Sequence, residues 1–180
     1  LEHCSASGKL TVDCQEYVYQ EIGTYKEFSV SGLLGYVNGV AISDCVNRVD
    51  IDIKQLIAKS NTASITPAIG GIVGSLTYFT RTDKSKVLSP ISNCVNYGNF
   101  TVANGSDNGE TGYITLHLGG CVGVQFNLNW ATLAELTNYG NITLNASYSS
   151  GTWNIAGVIG YCYTTTATKF YNYGDITYNS

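Results

Sequence analysis

Ile91-Ser-Asn-Cys-Val-Asn-Tyr-Gly-Asn-Phe-Thr-Val102 is the stretch on which the fold turns, because the chain repeats it. Earlier it reads Ile42-Ser-Asp-Cys-Val-Asn-Arg-Val-Asp-Ile-Asp-Ile53, later Leu133-Ala-Glu-Leu-Thr-Asn-Tyr-Gly-Asn-Ile-Thr-Leu144, and last Asn172-Tyr-Gly-Asp-Ile-Thr-Tyr178. A second unit precedes each copy: Val30-Ser-Gly-Leu-Leu-Gly35, Ile69-Gly-Gly-Ile-Val-Gly74, Leu118-Gly-Gly-Cys-Val-Gly123 and Ile155-Ala-Gly-Val-Ile-Gly160. Its central glycines, at 32, 71, 120 and 157, are 39, 49 and 37 residues apart. Self-similarity on this scale marks a stacked-repeat architecture.

Each unit is too short and too β-branched for a helix and is bounded by Gly, Asn and Thr, so it reads as a strand. In Phe100-Thr-Val102 and Ile142-Thr-Leu144 the outer residues face one side and Thr the other, the period of two of a half-buried strand. The Asn-Tyr-Gly-Asn step reads as a turn, since Gly and Asn tolerate positive φ and Asn can hydrogen-bond its own backbone. The glycines of the first unit imply close backbone approach or a bulge. A unit of this length cannot bury an apolar face alone, whereas stacked copies bury a continuous one. The fold class expected is therefore all-β, a parallel β-solenoid of four two-part repeats with an N-terminal β arm. Stacking places Asn47, Asn96, Asn138 and Asn172 in one row and Tyr97, Tyr139 and Tyr173 in the next. Ile51, Phe100, Ile142 and Ile176 line the core, with Thr101, Thr143 and Thr177 outside. Residues 75–90 and 103–113 are expected as loops, and Ile53 to Lys59 as one or two helical turns.

Through Gly32-Leu-Leu-Gly35 with its three relatives, and through Asn96-Tyr-Gly-Asn99, Asn138-Tyr-Gly-Asn141 and Asn172-Tyr-Gly-Asp175, the chain resembles the GLUG-type repeats of secreted and cell-surface proteins. The resemblance covers about 150 of the 180 residues. It implies an adhesive or structural surface module rather than one enzyme class. Arg48-Val-Asp50 departs from the pattern, so the first turn is expected to differ from the others.

Composition narrows the partners. The chain carries 9 basic and 13 acidic side chains, a net charge of −4, and only 12% charged residues, against roughly 25% in an ordinary domain. Nucleic acid is not an expected partner, since phosphate binding needs clustered Lys and Arg. No apolar run reaches the ~18 to 20 residues of a membrane span. The chain has no Met and begins at Leu1, which reads as a processed product or a fragment.

Six cysteines, Cys4, Cys14, Cys45, Cys94, Cys121 and Cys162, form an even set without Cys-x-x-Cys, and His3 and His117 are far apart. Disulfides in an oxidising compartment are therefore expected, with no metal and no cofactor. Cys45 and Cys94 share a slot in successive repeats, within bridging distance. Cys4 and Cys14 flank a Ser-Ala-Ser-Gly turn that reads as a local hairpin, which leaves Cys121 with Cys162; sequence does not choose among the fifteen connectivities. The sequons at Asn99, Asn104, Asn141 and Asn145 are candidate N-glycosylation sites and point to a secreted or cell-surface glycoprotein.

Residues 1–25 read as lying outside the repeat solenoid of residues 26–180. The segment Lys9 to Gln20 is strand-like: a cap over the first coil, or an arm that adds a strand to a neighbour. A solenoid end exposes unpaired backbone and apolar core, and the final repeat strand carries no helix or polar cap. Leu10, Val12, Tyr17, Val18, Tyr19, Ile176 and Tyr178 are accordingly the candidate interface for copies of the same chain, in a heterologous contact that closes into rings or runs on as a filament.

No catalytic motif of known mechanics is present. Asp50 and Asp52, with Asp44 nearby, are the best carboxylates for a glycosidase or metal role, and ordinary turn carboxylates are the plainer reading. His117 reads as an exposed strand residue. The function expected is a non-enzymatic structural subunit of an extracellular filament. The alternative is a carbohydrate-binding adhesin whose exposed Tyr and Asn rows meet glycans, ahead of an ice-binding face of Thr and a polysaccharide-degrading enzyme.

Overall fold

The computed structural model describes residues 1–13, 25–56, 64–77, 79–104, 113–126, 132–145, 151–163 and 166–179. Strand β1 (Ser5–Asp13) comes first, followed by four coils. The first coil holds β2 (Tyr25–Ser31), β3 (Leu34–Asn38), β4 (Ile42–Ser43) and β5 (Val46–Leu56). The second holds β6 (Ser64–Gly70), β7 (Val73–Thr77), the short pair β8 (Phe79–Thr80) and β9 (Lys86–Val87), then β10 (Ile91–Asn96) and β11 (Phe100–Asn104). The third holds β12 (Tyr113–Gly119), β13 (Val122–Gln125), β14 (Thr132–Asn138) and β15 (Ile142–Asn145). The fourth holds β16 (Gly151–Ala156), β17 (Ile159–Cys162), β18 (Thr166–Asn172) and β19 (Ile176–Asn179). No helix occurs among the described residues, and β5 runs as strand through Leu56, where a helical turn was expected.

Every coil-to-coil pairing is parallel, as in a solenoid. A second sheet runs β2-β6-β12-β16 and a third runs β3-β7-β13-β17. The long sheet stacks β1, β4, β5, β10, β11, β14, β15, β18 and β19, with β1 on β5 at one end and β18 and β19 at the other. The antiparallel pair β8–β9 is the one departure among the described strands. It occupies the extra residues of the 49-residue repeat and leaves the rungs undisturbed. Ser89 ties it down, donating to Thr77 O at 2.6 Å and accepting from Gly39 N at 2.7 Å.

Two apolar cores run side by side along the stack. Ile51, Phe100 and Ile142 of the long sheet pack with Ile65, Ile69, Leu116 and Leu118 of the second sheet. Ile42, Ile91, Leu133 and Leu136 pack with Val73, Leu76 and Val122 of the third sheet and its corner residues. Fully burying one such side chain contributes about 1.5 to 3 kcal/mol, so the repeated slots carry the stability.

Between the cores the coil is pinched. Asn47, Asn96, Asn138 and Asn172 point inward from the long sheet at the level of the glycine corners. A Cβ on Gly32, Gly71, Gly120 or Gly157 would lie between 1.9 and 2.3 Å from the side chain of Asn47, Asn96, Asn138 or Asn172 respectively. The two sequence motifs of each repeat are thus one device, a glycine corner shaped to admit an asparagine. The Asn-Tyr-Gly glycines differ from expectation: positive φ among the described glycines occurs at Gly8, Gly39 and Gly151, not at Gly98, Gly140 or Gly174. Their reason is steric. A Cβ there would sit 1.9 to 2.0 Å from the carbonyl oxygen of Val49, Gly98 or Gly140 in the preceding rung.

Strand β1 belongs to the stack. It lies parallel on β5 with Ser5 opposite Val46, Leu10 opposite Ile51 and Val12 opposite Ile53. Residues 1–13 take the cap position on the first coil, and Ser5 to Gly8 are strand rather than turn. Where a local hairpin is expected, Ser5–Asp13 is one continuous strand of nine residues. Cys14, Tyr17, Val18 and Tyr19 lie outside the described residues, so the arm expected there is not placed.

Candidate assembly surface

Stacking converts each slot into a row of side chains along the solenoid axis. In the buried row, Asn47 Nδ2 donates to Asn96 Oδ1 at 2.7 Å, Asn96 to Asn138 at 2.7 Å and Asn138 to Asn172 at 2.8 Å. Each amide also closes its own turn: Asn96 donates to Gly98 O at 2.9 Å and accepts from Gly98 N at 3.2 Å. Asn47, Asn96 and Asn138 are fully buried, so these bonds satisfy groups that water does not reach.

Beside it runs the aromatic row. Tyr97 and Tyr139 stack at 5.0 Å with 6° between planes, and Tyr139 and Tyr173 at 4.9 Å with 12°. Arg48 closes the stack, its guanidinium 5.1 Å from the Tyr97 centroid, which accounts for arginine in the aromatic slot of the first repeat. The rings cover one another, so the row offers edges and hydroxyls to solvent, except at the outward face of Tyr173.

The outer polar slots are engaged rung to rung. Asp50 Oδ1 accepts from Asn99 N at 2.8 Å and Asn99 Nδ2 at 3.0 Å, Asn99 Oδ1 from Asn141 N at 3.0 Å, and Asn141 Oδ1 from Asp175 N at 2.9 Å. Asp52 pairs with Lys9 at 3.1 Å. Asp44 accepts from Asn93 Nδ2, and hydrogen bonds from Asn93 and Ser43 hold its carboxyl below the usual range. Each candidate catalytic carboxylate is thus occupied in a ladder contact. Among the described residues, no group of three or more His, Cys, Asp and Glu is arranged to hold a metal ion.

Sequon residues Asn99, Asn141 and Asn145 are exposed; the side chain of Asn104 lies outside the described residues. No helix of the described residues is long and apolar enough to cross a membrane.

The cysteines differ from the expected bridges. Cys4, Cys45, Cys94, Cys121 and Cys162 are free thiols. Cys45 and Cys94 do occupy successive rungs, and Cys4 extends the column, because Ser5 pairs Val46 and Val46 pairs Val95. Cys121 and Cys162 are not rung neighbours: Gln125 lies opposite Cys162, whose thiol donates to Gln125 Oε1 at 3.3 Å. Burial pushes the Cys94 thiol up to about 12 and raises that of Cys121 as well. Since the thiolate is the nucleophile, alkylation of native protein at pH 8, mapped by peptide mass, is expected to label exposed Cys162 and spare Cys94 and Cys121 until denaturant is added.

His117 is buried rather than exposed, at 5% of its free surface. Its ring sits against Phe126 and Tyr161, with Nδ1 3.1 Å from Asn154 Nδ2. Desolvation lowers its pKa. The folded state therefore keeps the ring neutral, while the unfolded chain takes up a proton as pH falls below about 6.5. Unfolding then binds protons, and stability falls with falling pH in that window. Thermal melts between pH 7.5 and 5.5 are expected to show a declining Tm in the natural chain and a flatter profile in His117→Asn.

The fourth coil forms one end of the described stack. Ile176 and Tyr178 are 48% and 61% exposed, whereas Ile142 and Leu144, their partners one rung inward, are 0% and 3%. Tyr171 and Tyr173 are exposed beside them. At the opposite end Leu10 is 36% exposed and Val12 half-buried. Leu10, Val12, Ile176 and Tyr178 are thus separated by the length of the stack, on its two end rungs. Comparison with protein-family models, curated proteins and solved structures finds no match.

Proposed function

We propose that this chain is a non-enzymatic structural subunit of an extracellular fibre, assembling head to tail with copies of itself. The exposure of Ile176 and Tyr178 carries the reading: the same slots are sealed one rung inward, so this end presents to solvent the apolar positions that an interior rung buries. Open sheet edges of this kind template strand addition. The low charge supports it, since few like charges oppose close packing of copies. The accessible sequons at Asn99, Asn141 and Asn145 support a secreted glycoprotein. The adhesin reading draws less support, because stacking uses up the tyrosine faces on which a sugar ring would lie.

Negative-stain imaging and sizing of native material test the proposal. Rods that lengthen with concentration are expected, with a mass loss on enzymatic deglycosylation that maps to Asn99 and Asn141. A monomer that persists at micromolar concentration without rods would overturn the fibre.

A further inference from the structure

The two outer strands of the long sheet among the described residues are related by the same repeat that relates its rungs, and this fixes how they would meet. Carrying the observed pairings one step further, Ile142 opposite Ile176 and Ile51 opposite Leu10, sets Ile176 of one molecule opposite Leu10 of the next. From these contacts we infer that β1 of a second copy adds in parallel to the outer edge of β18 and β19, in the register of one further repeat. The inference rests on the fibre reading and names the joint within it.

Four observations converge on that register. First, apolar slots meet: Phe170 faces the second copy's Cys4, Ile176 its Leu10 and Tyr178 its Val12, all in positions that interior rungs bury. Second, charges match, because Asp175 falls opposite the second copy's Lys9.

Third, the backbone groups are in place. Within the chain, Ile51 N donates to Asn99 O, Phe100 N to Asn141 O and Ile142 N to Asp175 O, each at 2.8 Å. The next member is Ile176 N donating to Lys9 O of the second copy. In the opposite sense, Tyr97 N, Tyr139 N and Tyr173 N donate to Asn47 O, Asn96 O and Asn138 O, and the next member is Ser7 N of the second copy donating to Asn172 O.

Fourth, Gly98, Gly140 and Gly174 each lack a Cβ where the preceding rung's carbonyl presses in, while a Cβ on Gly8 would meet nothing within 4 Å in its own chain. The φ of +128° at Gly8 favours glycine independently. In the joint its open side receives the Gly174 carbonyl. The asparagine row is interrupted there, since Ala6 occupies the slot opposite Asn47 and so meets Asn172. The joint is therefore less firmly held than an interior rung.

Two single-site variants test the register: Thr177→Cys and Thr11→Cys, at exposed positions, each in a Cys162→Ser background. Purified separately, checked for native β circular dichroism, mixed and mildly oxidised, they are expected to give a 11–177 cross-link. The two-residue-shifted pair, Thr177→Cys with Lys9→Cys, should yield at least tenfold less. Imaging of unmodified rods supplies an independent measure, an axial rise of about 24 Å for five long-sheet rungs of ~4.8 Å each. Rods whose cross-links or rise differ would overturn the register and leave the fibre standing. Absence of both rods and cross-links would overturn the two together.

Discussion

Replacing Asn96 by alanine is expected to destabilise the fold by roughly 4 kcal/mol. The Asn96 side chain takes part in four hydrogen bonds, with Asn47, Asn138 and both backbone groups of Gly98. A neutral bond contributes about 1 kcal/mol net, and a buried partner left unmade costs about 1 to 3 kcal/mol more. Asn47 Nδ2 then keeps only its longer bond to Val49 O at 3.3 Å, in a place sealed from water. Asn172→Ala should cost about 1 kcal/mol, because Asn172 lies on the solvent-facing end rung. Urea denaturation of the two variants checks the contrast: a large fall in the midpoint for Asn96→Ala and a small one for Asn172→Ala. Equal shifts would mean that the row is not a buried, mutually supporting network.

Gly120→Ala is expected to cost about 3 kcal/mol or more, by overpacking rather than by loss of contacts. Its Cβ would sit 2.1 Å from Gly157 O and 2.3 Å from Asn138 Cγ, so both a carbonyl of the next coil and the asparagine row must move. Gly32→Ala separates the two obstacles. There the three nearest atoms all belong to the Asn47 side chain, the closest at 1.9 Å. An Asn47→Ala background removes those three contacts, and a double-mutant cycle should show coupling of about 1 to 3 kcal/mol between positions 32 and 47. No such relief is available at Gly98, whose neighbour at 2.0 Å is the Val49 carbonyl oxygen. A cycle at 32 and 47 that adds without coupling would separate the glycine corner from the asparagine it is argued to admit.

Rows with a repeated residue type were legible in the sequence. The Asn, Tyr, Ile/Phe and Thr columns all follow from aligning copies, and they emerge in the expected order along the rung. Less was visible where a column is defined by backbone shape. His3, Asp44, Asn93, Glu135 and Lys169 share one slot and all take positive φ between 49° and 58°, yet five different side chains leave no motif to align. The first rung was hidden for a related reason. Cys4-Ser-Ala-Ser-Gly-Lys-Leu-Thr-Val12 matches Cys94-Val-Asn-Tyr-Gly-Asn-Phe-Thr-Val102 at the Cys, Gly, Thr and Val positions. Its Ala6 and Ser7 replace the Asn and Tyr that identify the other copies.

The glycines were legible as close approaches in one unit and misread as φ requirements in the other, because sequence does not show what lies in the rung beneath. His117 illustrates the same limit. Its neighbours Leu116 and Leu118 point the other way on the strand, and its cover comes from Phe126 and Tyr161, which no local pattern brings near. Of the proposed assembly surface, the apolar end residues stand out in the sequence, while the register proposed for β1 rests on the strand pairings.

The amide row has one more property. Its three inter-rung bonds, donated by Asn47, Asn96 and Asn138, all run in the same direction, from the first coil toward the fourth. Parallel dipoles in series reinforce one another, by about 10 to 30% per bond. The molecule therefore has an electrical sense along its length, with its middle coils held more tightly than its extremities. The two ends of the stack are thus chemically unlike.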